Sequence, residues 1–209
     1  MSVLDQIAYF QNRRDEAPNQ ALAKRLAEAV DSQGIREIAE GLRHENQAVR
    51  ADCLKVLYEI GYLEPSLVTD YTADFLSLLK SKNNRLVWGA MIALSTVAGL
   101  RAKEIAAHLG TIQETMQNGS VITVDNGIKI LSILAATDAS LSKTIFPLLL
   151  NHLSTCRSKD VPQHAEKILA AVNPGNQRVF IETLEKRIDG ATAAQNTRLK
   201  KVIKEAGKR

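Results

Sequence analysis

Four histidines, two cysteines and two Ser-x-x-Lys tetrads are the residues of this chain with the most chemistry to offer. His44, His108, His152 and His164 are scattered, none stands with another at a metal-ligand spacing, and there is no His-Glu-x-x-His. Zinc takes three or four nitrogen or sulfur ligands, so the spacing predicts no metal site. Ser77–Lys80 and Ser140–Lys143 match Ser-x-x-Lys, which signals an activated serine only beside companion motifs, and the sequence has none. No glycine-rich loop leads into a helix, so no phosphate cradle is expected. Cys53 and Cys156 are too few for a disulfide framework. The expectation is a chain with no metal, no cofactor and no catalytic residues.

Binding residues are a better prospect. Lys55, Ile92, Lys129 and Lys167 recur at a spacing of about 37 residues. If this column faces solvent, three lysines form a row suited to acidic side chains or phosphates. Asp52 and Asp125 lie three and four residues before Lys55 and Lys129 and compensate part of that charge. Ile92 interrupts the row, and Trp88, the only tryptophan, stands one helical turn before it. Trp88 and Ile92 would then form an apolar anchor among lysines, and tryptophan is a frequent hot-spot residue. A second basic feature is the C-terminal stretch with Arg198, Lys200, Lys201 and Lys204. Residues 190–209 carry a local charge of +5 within a net +4, so the rest of the chain sums to −1. The basic pI is therefore a property of the last helix and says little about the remaining surface.

The elements that must position these residues are read from periodicity. Ile38, Phe75, Ile112 and Leu149 form one apolar column, and Leu42, Leu79, Met116 and Leu153 a second. A second helix per unit supplies Leu57, Leu94, Leu131 and Leu169, with Val56, Ala93, Ile130 and Ile168 beside them. Cys53, Ala90, Gly127 and Ala165 form a column in which every member is small, as a close helix crossing requires. Within each second helix the apolar positions follow one stripe of an α-helix, not the alternation of a strand. Such pairs bury their stripes only by stacking. Pro18, Pro65, Pro162 and Pro174 fall at predicted helix starts, whereas Pro147 lies inside the predicted helix 140–154 and should kink it or delay its start.

The stretch Val49-Arg50, Cys53, Val56-Leu57 and Ile60-Gly61 resembles the second helix of a HEAT/armadillo-type repeat. That resemblance implies an all-α, right-handed α-solenoid of about six antiparallel helical pairs. It also implies that Arg50 bridges repeats through a carboxylate or loop carbonyls, and that the second helices line a concave face. One domain over 1–209 is expected: a cap pair at 1–33, four regular repeats at 34–173 and a cap pair at 174–209. The short region 2–12 should be a helix with Val3, Leu4, Ile7, Ala8 and Phe10 on one face.

The fold class leaves function open. The sequence favours a non-catalytic scaffold that binds a protein or peptide in its groove through Trp88 and Ile92, flanked by Lys55, Lys129 and Lys167. The alternative is a nucleic-acid-binding protein using the lysine row and the C-terminal helix. Helical-repeat DNA glycosylases resemble the chain in fold and basic face. They pair inner aromatics with a nearby aspartate, for which Asp125, in the column of Trp88, is the only counterpart. The longest apolar run, Leu86–Leu100, is shorter than the roughly 20 residues of a membrane span. The N-terminus lacks a basic region followed by an apolar one, so the expected compartment is the cytoplasm.

Overall fold

The structure is a computed structural model that describes residues 2–209. Among them are twelve α-helices, four short 3-10 segments and no strand. The chain packs as two compact units, one ending at Gly127 and one spanning Ile128–Arg209.

The first unit is built around α3 (Gln47–Leu63). Eleven of its residues are buried, including Asp52, Lys55 and Tyr58. A helix apolar on nearly every side belongs inside a structure. Around α3 pack α1 (Ala17–Glu28), α2 (Ser32–Glu40) with the 3-10 turn Gly41–Arg43, the 3-10 segment Pro65–Tyr71, and α5 (Asn84–Val97). α4 (Thr72–Leu78) lies against α5. The unit continues through α6 (Ala102–Ala106), α7 (Leu109–Gln117) and the first turns of α8 (Val121–Thr137). The small column does what close crossing requires. A Cβ on Gly127 would collide with Met116, and one on Gly41 would collide with Cys53. Helix starts repeat as well: the Asn46 and Asn83 carboxamides accept from Ala48 N and Arg85 N at 2.8 and 2.9 Å. The same two side chains donate onward to Tyr9 Oη and Gln47 Oε1, so each cap also ties one pair to the preceding one.

The second unit contains the rest of α8, then α9 (Ala139–Thr155), α10 (Val161–Ile168), α11 (Gln177–Glu185) and α12 (Ala193–Ala206). Its core joins Ile145, Phe146, Leu149 and Leu153 of α9 to Phe180, Leu184, Leu199 and Val202. The Phe146 and Phe180 rings pack with centroids 6.3 Å apart. Thr192 and Gln195 close a capping box at the start of α12.

Three local expectations change. Residues 2–12 form only one 3-10 turn, Leu4–Gln6. Side chains from other elements take their amides instead: Ala8 N donates to Asn19 Oδ1 and Tyr9 N to Asp52 Oδ2, at 2.8 and 2.9 Å. α9 starts at Ala139, capped by Asp138, and runs through Pro147. The predicted helix after Pro65 is a 3-10 segment followed by the short α4.

Candidate functional site

The lysine column does not form an open row. Lys55 is buried, with its side chain 8% exposed. Its Nζ lies 2.8 Å from Glu16 Oε2 and 2.6 Å from Glu59 Oε1, and 4.9 Å above the Tyr58 ring. Burial opposes the lysine charge, but the hydrogen bonds to Glu16 and Glu59 outweigh it and raise its proton affinity. Lys55 is thus an internal strut, not a contact for acidic partners. The physical reason is the covering of α3 by α1. Ile92 is also corrected: at 8% exposure it belongs to the core of α5 and forms no surface anchor.

Leu86, Gly89, Ala90, Met91 and Ile92 are buried, while Val87 and Trp88 are half-buried and Arg85, one turn before Trp88, is exposed. Arg85 donates to Asp52 Oδ1 at 3.2 Å, so the start of α5 presents an indole beside a guanidinium anchored on α3. Asp125 is half-buried on α8. Arg50, on the far side of α3, donates to the Leu42 carbonyl at 2.9 Å, a bond between the two helices of its own repeat and not the bridge between repeats that the resemblance implies.

In the second unit Lys129 and Lys167 are both half-buried. Burial first, and the Lys167 charge second, lower the proton affinity of Lys129. On α12, Arg198 makes a two-pronged bond to Glu166, at 2.8 and 2.7 Å. It holds that carboxyl below its ordinary range. Lys200, Lys201 and Lys204 remain exposed on α12.

One cluster was missed by the sequence. His152 Nε2 and His164 Nδ1 are 2.9 Å apart. With Cys156 Sγ they form a group whose ligating atoms all lie within 4.8 Å of one another. The His152–Cys156 interval of one helical turn was the available signal. It gains meaning only when the turn between α9 and α10 returns His164 to the same place. The other two histidines stay local: His44 Nδ1 accepts from Asn46 N, and His108 stands at the N-cap position of α7. Burial pushes the Cys156 thiol up from its ordinary value, and pushes the fully buried Cys53 thiol up to about 12.

No described helix is long and apolar enough to cross a membrane. No family model and no curated protein matches the sequence. Solved structures do match in fold. An engineered protein aligns over 100% of this chain and 98% of its own, with a TM-score of 0.68 at 15% identity. A designed armadillo repeat protein aligns over 98% of each chain, with a TM-score of 0.68 at 11% identity. Computationally designed armadillo repeat proteins for modular peptide recognition align over 97% of this chain and 98% of theirs, again at 0.68 and 11%. With its paired helices, repeated small column and repeated asparagine caps, the chain has the armadillo/HEAT-like helical-repeat fold.

Proposed function

We propose that this chain is a non-catalytic helical-repeat scaffold that binds a protein or peptide segment. The observation that carries this reading is Trp88. It is the one tryptophan, left half-buried on a helix whose other large apolar side chains are mostly enclosed. A partly exposed indole offers apolar area at low entropic cost. Lys129 and Lys167 are a separate contact point for acidic groups. The designed peptide-recognition proteins of the same fold support the class of partner, with the specific peptide left to experiment.

The test uses Trp88 as its own probe. Acidic peptides carrying an aromatic or aliphatic residue are titrated against the full chain while indole fluorescence is followed. A saturable change, with Trp88→Ala folded and inactive in a labelled-peptide assay, supports the proposal. Full peptide affinity in Trp88→Ala refutes it. Single-stranded RNA and duplex DNA form the control arm. Binding that falls steeply with salt, and is lost when Lys200, Lys201 and Lys204 are changed to Glu, would assign the protein to nucleic acid instead.

A further inference from the structure

We propose that His152, Cys156 and His164 form a binding site for a divalent transition metal of the zinc class, held by two imidazole nitrogens and one thiolate. His152 and Cys156 lie one turn apart at the C-terminal end of α9, on one face. His164 comes from the start of α10 and is 2% exposed. Borderline-soft nitrogen and sulfur donors suit zinc, whereas calcium and magnesium require oxygen.

The geometry is close to a coordination sphere. Zn–N bonds of about 2.0–2.1 Å and a Zn–S bond of about 2.3 Å set tetrahedral N···N and N···S separations of about 3.3 and 3.6 Å. The two ring nitrogens stand at 2.9 Å and need to part by about 0.4 Å. Cys156 Sγ, within 4.8 Å of both, needs to close by at most about 1.2 Å. Cys156 is the C-cap residue of α9, beyond the last full turn, where a χ1 rotation can supply that movement.

The backbone that carries the sulfur is held in place. Arg187 donates to the Ser154 and Cys156 carbonyls, each at 2.6 Å, and Arg157 pairs with Asp160 at 2.6 Å. Three protein ligands leave a fourth position for water. Without metal, one of the facing nitrogens carries the proton that bridges the pair. On binding, that proton moves to the other nitrogen of its own ring and the thiol proton passes to solvent. The ligand set becomes two neutral imidazoles and one thiolate.

The test is a Co²⁺ titration of the full chain under reducing conditions. Expected are a single bound ion, the visible bands of tetrahedral cobalt and a thiolate-to-cobalt charge-transfer band, all displaced by Zn²⁺, and a higher Tm with Zn²⁺ present. Cys156→Ser should abolish the charge-transfer band, and His152→Ala should weaken binding by at least about tenfold. Both positions are partly exposed, so both variants should fold. Cys53→Ala, which places in the small column the residue already present at Ala90, should keep the band. No charge-transfer band at millimolar cobalt would overturn the proposal. So would a band that survives Cys156→Ser and disappears in Cys53→Ala.

Discussion

Replacing Lys55 by Met distinguishes an open binding residue from a buried strut. Its Nζ bonds two carboxylates, at 2.8 and 2.6 Å, with the side chain 8% exposed. A hydrogen bond to a charged group contributes a net of about 1.5–3 kcal/mol. Glu16 is half exposed and rehydrates when its partner is lost, so its bond is discounted to about 0–1 kcal/mol, as for a surface pair. Glu59, 23% exposed, retains more of the full value. Met keeps the packing of the aliphatic stem, so the loss reports the charge alone. We expect Lys55→Met to destabilise by about 1–3 kcal/mol. For a chain of this length that lowers Tm by about 3–10 °C. Denaturant melts of wild type, Lys55→Met, Glu59→Gln and the double variant should give a coupling energy of about 1 kcal/mol or more. The raised proton affinity of Lys55 fixes the pH behaviour. Its contribution is complete below the ordinary lysine value of 10.5 and is lost only as pH rises through the higher folded value. On the lysine side, the gap between the two proteins should therefore be flat from roughly pH 6 to 9. A variant within about 0.5 kcal/mol of wild type that instead loses peptide binding would refute the buried-strut assignment.

Two further predictions concern the same unit. Burial pushes the Tyr58 phenol from 10.0 up to about 12. Its contribution therefore holds below about pH 10 and is lost as pH climbs through the folded value, and Tyr58→Phe should raise the alkaline unfolding midpoint; an unchanged midpoint would show that Tyr58 does not set it. Val30 ends α1 at φ 51°, with Val30 N bonded to Ala27 O and Asp31 N to Leu26 O, the paired bonds of a Schellman C-terminus. A β-branched residue there bears a left-handed cost of about 1–2 kcal/mol. Val30 is 60% exposed, so Val30→Gly should stabilise by about 0.5–1 kcal/mol after glycine's extra unfolded entropy is counted; a thermal melt showing a loss would reject the strain.

The repeat was legible because each core column is a local property copied along the chain. Ile38, Phe75, Ile112 and Leu149 are all fully buried, as are Cys53, Ala90 and Ala165 of the small column. Column logic treats every repeat as an interior one, and it failed where something outside the period intervenes. Lys55 was misplaced because Glu16 and α1 cover α3, and no periodic position encodes that contact. The 2–12 segment looked helical from its apolar spacing. Its amides instead find Asn19 and Asp52, which lie far enough along the chain that only the fold unites them. The histidine pair was hidden for the same reason: twelve residues and a turn separate His152 from His164.

One column therefore carries three different physical states. Lys55 is sealed by two glutamates, Ile92 is core, and Lys129 and Lys167 are half-buried. A common side-chain type along a column reports shared helical register; the partners available at each repeat decide whether a member stabilises or binds. That is why Trp88, a single residue with no counterpart in its column, carries more functional weight than the lysine row. Its column companions are Ala51, buried in α3, Asp125, half-buried on α8, and Gln163, exposed near the start of α10. An indole left partly in water is the departure that packing does not require, and binding supplies a physical reason for it.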